Sequence, residues 1–266
     1  MRKTGILGIF CILILSTTVA YGYVEECSQA GVETQTEKTQ SLPETCTGES
    51  REVGNGIAYS WVTLNAEGNP SAIGVNLTES ALSCLPEGEV AEYILPLPEE
   101  ASATPYNHIG LDWNPKGHEP QEIYDKPHFD VHFYMMGQEE REKITATGED
   151  MARIEKKPGP EYIPEGYIST PGGVPWMGAH WIDPSSPEFN GQPFEETFIY
   201  GFYNGEMVFV EPMVTVEYLK TKPELTKQLK LPGCYPISAY YPISYSIRYN
   251  ETTKEWTIAL EGMTPR

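Results

Sequence analysis

Basic residues are scarce in this chain: 18 Lys and Arg stand against 38 Asp and Glu, a formal charge of −20 over 266 residues. No basic patch offsets the excess, which excludes a nucleic-acid partner, because affinity for phosphate backbones comes from Lys and Arg neutralising them. Attraction to cations is the counterpart of that charge. Also missing are a Gly-x-Ser-x-Gly elbow, a Gly-rich phosphate loop ending in Lys-Ser or Lys-Thr, and a His-Glu-x-x-His helix. Their absence removes the commonest signatures of serine hydrolases, nucleotide-binding P-loops and zinc proteases. Cysteines number five and form no Cys-x-x-Cys pair, so a zinc knuckle is excluded.

Long apolar runs are confined to the N-terminus. Arg2 and Lys3 precede a run from about Ile6 to Leu15, and small residues follow up to Ala20 and Gly22. That layout predicts a signal peptide over 1–22 and a secreted or extracytoplasmic protein. The run falls short of the roughly 20 apolar residues that span a bilayer, so no stable membrane span is expected after cleavage; an uncleaved N-terminal anchor is the alternative. Cleavage removes Arg2, Lys3 and Cys11, which takes the charge to −22. Cys27, Cys46, Cys84 and Cys234 remain, an even number in an oxidising compartment, and two disulfides are expected with the pairing open.

What is abundant is turn-forming and aromatic: 23 Pro, 24 Gly and 17 Tyr. The composition predicts a mainly β fold with a few short helices, an antiparallel barrel-like or sandwich domain, with α+β as the alternative. An irregular acidic leader over 23–50 is expected to precede a single β-rich domain over 51–266. Strands are expected in a hairpin within 56–78, in "VAEYILPL" and in "HIGLDW". Short helical turns are expected in "TESALSC", capped by Thr78, in "GQEEREKI", in "TGEDMARIEKK", capped by Thr147, and in "LTKQLK". Asn204-Gly205 joins two β-rich runs and is the strongest hairpin signal in the chain. A two-residue turn there sets Tyr200 opposite Phe209 and Phe198 opposite Glu211, so that Glu211 shares a face with Phe198, Tyr200, Phe202, Met207 and Phe209.

The stretch "YDKPHFDVHFYMM" carries the chemistry. Read as a strand after Pro127, it puts His128, Asp130, His132 and Tyr134 on one face and Phe129, Val131, Phe133 and Met135 on the other. Imidazole and carboxylate are ligand types for divalent transition metals. Residues four apart on a strand have Cα atoms about 13 Å apart, so His128 and His132 share an ion only if the strand bends. His180 and Glu211 are the expected further ligands, with His118 and Asp130 as alternates. A carboxylate on an apolar wall needs a counter-charge, and cationic side chains are few. His108 reads as structural. A polar sheet face of hydrogen-bonded His and Asp accounts for the same pattern without a metal. Adjacent acids such as Glu195 and Glu196 read as solvated charge, and the sequons at Asn76 and Asn250 are weak signals.

The ordered motifs "GHEP", "IYDKPHFDVHFY", "IPEGYISTPGGVPWMGAHW" and "TFIYGFYNGEMVFVEPM" resemble the TTHB-like domain family, over about residues 104 to 219. The resemblance implies an exported, β-rich, oligomerising domain with no established activity, and assigns no catalytic residue. A weaker likeness is to cupins, in which His and Glu side chains bind a metal inside a β-barrel. The sequence therefore predicts a divalent transition metal held by His128, His132, His180 and Glu211, with Tyr134 hydrogen-bonding to a ligand. If an open coordination position remains, a metal-dependent hydrolase-like or cupin-like enzyme follows. The contrasting reading is a non-catalytic binding or structural protein, a homo-oligomer whose histidines hold loops to the sheet. A carbohydrate-binding module resting on Trp176 or Trp181 is a third.

Overall fold

The computed structural model describes residues 42–266. The expected signal peptide, most of the expected leader, Cys11 and Cys27 lie outside them. Among the described residues no helix is long and apolar enough to cross a membrane.

Two antiparallel sheets face each other. The first runs β1 (Glu44–Val53), β2 (Gly56–Leu64), β3 (Pro70–Thr78), then β14 (Glu255–Glu261), β13 (Ser244–Asn250) and β11 (Glu224–Gln228). The second runs β4 (Ala91–Pro96), β5 (His108–Asn114), β6 (His128–Tyr134), β10 (Glu206–Thr215), β9 (Glu196–Tyr203), β8 (Ala179–Ile182) and β7 (Ile168–Ser169). A short pair, β12 (Tyr240–Tyr241) and β15 (Thr264–Pro265), lies apart. The fold is thus a mainly β sandwich with short helices, α1 (Gln138–Arg141), α2 (Met151–Ile154) and α3 (Val216–Lys220), and the sheets do not close into a barrel.

Alternation explains the packing. Val62, Ile73, Val75 and Ile258 of the first sheet meet Ile109, Leu111, Phe129, Val131 and Phe133 of the second in one buried core. This is ordinary sandwich burial, inward residues at every second position. The second sheet is unusual in that β5 and β6 are buried on both faces. Loops roof its outer face: Tyr124, Phe189 and Phe194 pack with Ile199 and Met213, and Met136 and Met177 pack with Tyr134, Val208 and Phe209. Polar side chains on that face are therefore sealed in, away from the sandwich core.

Several expectations need correction. Residues 44–50 are not irregular: they form the outer strand of the first sheet and pair with β2, and their mostly exposed side chains hide the strand period. "LTKQLK" is largely β11, paired with β13, so sheet pairing overrides a local helical tendency. Thr78 and Thr147 do not cap with their side chains; Thr78 Oγ1 instead accepts from the Ile57 amide. Cys46, Cys84 and Cys234 are all free thiols. Two bonds among four cysteines would require one within this set, so the expected framework does not form. The three sit on separate segments, β1, the turn after β3 and the loop before β12, where Cys84 accepts from Asn55 Nδ2 and the Cys234 amide bonds to the Glu161 carbonyl.

Candidate metal centre

The hairpin of β9 and β10 turns at Asn204 (φ 53°) and Gly205 (φ 81°), both in the left-handed region that a tight hairpin turn requires. Beyond the turn, Met207 pairs with Phe202 but Phe209 pairs with Gly201, so a β-bulge at Val208 shifts the register by one. Glu211 consequently lies opposite Ile199 and not Phe198. Its side chain leaves the core wall of Phe198, Tyr200 and Phe202 and joins the roofed outer face. There β6 supplies its neighbour: Val210 pairs with Phe133 and Met213 with Asp130, which sets Glu211 level with His132.

Six of the residues singled out from the sequence meet on that face, in two groups of three: His132, His180 and Glu211; and His118, His128 and Asp130. In each group the ligand atoms all lie within 4.8 Å of one another. The set expected to hold a single ion is thereby divided. Because β6 stays regular, His128 and His132 are kept apart and each belongs to its own group, as the strand spacing demands.

In the inner group, His132 Nε2 lies 3.4 Å from one Glu211 oxygen and His180 Nε2 lies 3.7 Å from the other. His132 Nδ1 is 2.9 Å from Asp112, which stands on β5 opposite Asp130. In the outer group, His128 Nε2 and His118 Nε2 lie 3.0 and 3.2 Å from the two Asp130 oxygens, and Asn114 Nδ2 donates to Asp130 at 2.8 Å. His118 and His128 each donate from Nδ1 to a backbone carbonyl, of Glu119 at 2.7 Å and of Lys126 at 2.6 Å. A carbonyl only accepts, so in the neutral rings the free lone pair is on Nε2 and aimed at Asp130. Two lone pairs directed at a carboxylate repel it unless a cation or a ring proton sits between them.

Burial sharpens that conflict. Glu211, His132 and His128 are 2 %, 0 % and 0 % exposed. His128 Nε2, both His132 nitrogens, one oxygen of Asp130, one of Asp112 and one of Glu211 have no hydrogen-bond partner. Unpaired buried polar atoms on this scale cost several kcal/mol in sum, at about 1–3 kcal/mol each. Arg141, the buried guanidinium nearby, is committed to Glu92, the Trp176 carbonyl and the His108 ring. Burial and the charges of Asp130 and Asp112 push the Glu211 carboxyl well above its usual range, and burial with Asp130 pushes Asp112 up to about 8. Burial pulls His132 down to about 4 and, with the neighbouring His132, pulls His180 down to about 3, so both rings are neutral at physiological pH, the state in which imidazole can bind a metal. Around one ion with bonds of about 2.1 Å, donors lie about 3.0 Å apart at right angles and about 3.4 Å at tetrahedral angles. The observed separations fall close to that range.

Other assignments resolve simply. His108 is structural as expected, stacked on Tyr134 with ring centroids 4.9 Å apart and bonded to Asn107 and Arg141. Tyr134 stacks on His132 at 5.3 Å, and its hydroxyl is buried without a partner. Trp181 is packed into the sandwich core and Trp176 is exposed on a covering loop, so they build no common sugar platform. Asn76 is held by Trp61, Tyr59 and Thr257, whereas Asn250 is exposed at a turn. Asp112 and Asn114 went unnoticed in the sequence. The signal was present in the strand "HIGLDW", where Asp112 alternates onto the same face as His108 and faces Asp130 once the strands pair.

A family model described as TTHB210-like, hypothetical protein TTHB210, matches residues 65–113. The match covers β3 to most of β5, and overlaps the motif-bearing stretch of 104 to 219 only at its start. It includes Asp112 but none of the six clustered residues. No curated protein and no solved structure matches the chain.

Proposed function

We propose that this protein binds divalent transition-metal ions on the roofed face of its second sheet, one in the His132–His180–Glu211 group and one in the His118–His128–Asp130 group. The observation that carries the reading is the set of buried, unpartnered nitrogen and carboxylate atoms converging in each group. Mixed imidazole and carboxylate donors suit zinc, manganese, iron or nickel. The backbone carbonyls behind His118 and His128 are the orienting partners that metal-bound histidines characteristically have, and Asp112 lies 2.9 Å behind His132. The strongly acidic composition favours cation capture, and the N-terminal sequence supports an exported protein.

One observation favours a metal-free reading of the outer group. Although burial opposes it, hydrogen bonding to Asp130 and the Asp130 charge raise the His118 pKa, and His128 and His118 hold the Asp130 carboxyl well below its usual range. A protonated His118 donating to one Asp130 oxygen satisfies that oxygen without an ion, and leaves His128 Nε2 and the other Asp130 oxygen facing each other. Elemental analysis of untagged protein separates the readings. Two equivalents of metal are expected, falling to one in His132→Ala and in His128→Ala. One equivalent, retained in His128→Ala, supports the ion-paired outer group. Less than about 0.2 equivalents, with no change in melting temperature after chelation, sinks metal binding altogether.

A further inference from the structure

A cavity of about 420 Å³ adjoins the roofed face, within the size range of small-molecule sites. His118 and His180, the least buried ligand of each group, both line it. Its walls are otherwise largely apolar, with Tyr124, Ile182, Phe189 and Ile199 among them. A larger groove of about 550 Å³, beside Trp113 and Val216, touches none of the six ligands. Both groups therefore open onto one chamber that is greasy on its sides and ligand-bearing at its floor.

We infer that this chamber holds a small monocarboxylate with an apolar body, its head on the cavity-facing positions of the bound ions and its body against Tyr124, Ile182, Phe189 and Ile199. The inference rests on the metal reading above. Two divalent ions set against the buried carboxylates of Asp112, Asp130 and Glu211 leave one positive charge at the floor, which one carboxylate neutralises; Glu119, the acidic side chain on the chamber's lining, is exposed to solvent. Among the described residues no Lys or Arg lines the chamber. An anion thus finds its counter-charge only in the metal, and binding must be metal-dependent. The apolar walls, in turn, select against a head group without a body.

Calorimetric titration of the full chain, zinc-loaded and chelated, with sodium octanoate, benzoate and acetate tests this, with metal content measured on the same samples. Octanoate or benzoate is expected to bind the zinc-loaded protein at one per chain and not the chelated protein, with acetate at least about tenfold weaker. Ile182→Glu sets a like charge on a half-buried wall position and is expected to weaken octanoate at least about tenfold while the zinc content stays unchanged. If zinc is bound but neither longer acid binds more tightly than about 10 mM, the chamber is not such a site. Equal affinity for acetate, unchanged affinity in Ile182→Glu, or binding that survives chelation overturns the inference equally. A protein that takes up no zinc fails at the metal reading itself, a result the metal content reports separately.

Discussion

Glu211→Gln should change the sign of its effect with metal. In the metal-free protein Glu211 is buried among Asp112, Asp130 and neutral imidazoles, and its carboxyl pKa is pushed well above the ordinary value of 4.5. The folded chain then keeps a proton that the unfolded chain releases above pH 4.5. Each pH unit of that displacement costs about 1.4 kcal/mol once the pH has risen past it, so the penalty grows from pH 4.5 toward neutrality. Glutamine has the shape of the protonated acid, no charge, and an amide that can donate to His132 or His180 Nε2. It should recover most of that penalty, raising the melting temperature of chelated protein by about 2–4 °C for each kcal/mol recovered in a chain of this length. With metal the order reverses. Saturation at a hundredfold excess over Kd stabilises the wild type by about 2.7 kcal/mol per ion, and the variant should lose the inner ion's share. Thermal melts in chelator and in excess zinc at pH 7, repeated at pH 5 where the chelated difference should shrink, measure both arms. A variant less stable than wild type in chelator would mean that Glu211 is ionised and satisfied without metal, and the account of this site would be wrong.

The chelated protein should lose stability between pH 6.5 and 8. Asp112, raised to about 8, and Glu211 hold protons in the fold that the unfolded chain gives up near pH 4, which lowers stability as pH rises. His132 and His180, lowered to about 4 and about 3, act oppositely below pH 6.5, so only above it is the fall unopposed, with His118, whose pKa is raised, adding to it. Differential scanning fluorimetry across this range should show the fall in chelator and not in saturating zinc; a level profile in chelator contradicts it. Gly201→Ala sets a Cβ 2.1 Å from the Phe209 ring, which packs on His132 and His180 at 4.9 and 5.2 Å. A cost of about 1–3 kcal/mol and preferential loss of the inner ion are expected from melts and metal analysis, and an unperturbed inner site argues that Phe209 does not position it. Asp150 accepts from the Thr145 and Ala146 amides at 2.9 Å each and from the Tyr203 hydroxyl, tying the covering loop to β9. Asp150→Ala should cost about 2–3 kcal/mol in denaturant melts, and a loss below about 0.5 kcal/mol would show that the loop does not depend on this tie.

Much of the site was legible because a strand has a period of two. The alternation of His128, Asp130 and His132 against Phe129, Val131 and Phe133 identifies both faces of β6 without a structure. The same period warned that His128 and His132 are too far apart for one ion, and the structure answers with two groups. Glu211 was legible from its need of a counter-charge, but its face was not. A bulge leaves no mark in the hydrophobic pattern, since Val208 is as apolar as its neighbours. Asp112 enters only through pairing between β5 and β6, and the placement of His118 and His180 depends on loops whose course local patterns do not encode. The strand formed by 44–50 was hidden for a related reason, having little buried face from which to read a period.

The bulge at Val208 also makes the length of this hairpin a constraint separate from its composition. Downstream of it, every odd-numbered side chain from Phe209 to Met213 points toward the histidines and Val210 and Val214 toward the sandwich core. Pairing the same residues without the bulge would exchange the two sets, delivering Glu211 to the hydrophobic interior and Val210 to the ligand cluster, whereas deleting Val208 would iron out the bulge and leave Phe209 opposite Gly201 and Glu211 opposite Ile199. Deletion of Val208 should accordingly leave Glu211 facing the histidines, whereas a residue inserted between Phe209 and Glu211 would set Glu211 opposite Phe198 and turn it into the core, and a scan of insertions and deletions along β10 would tell the two apart.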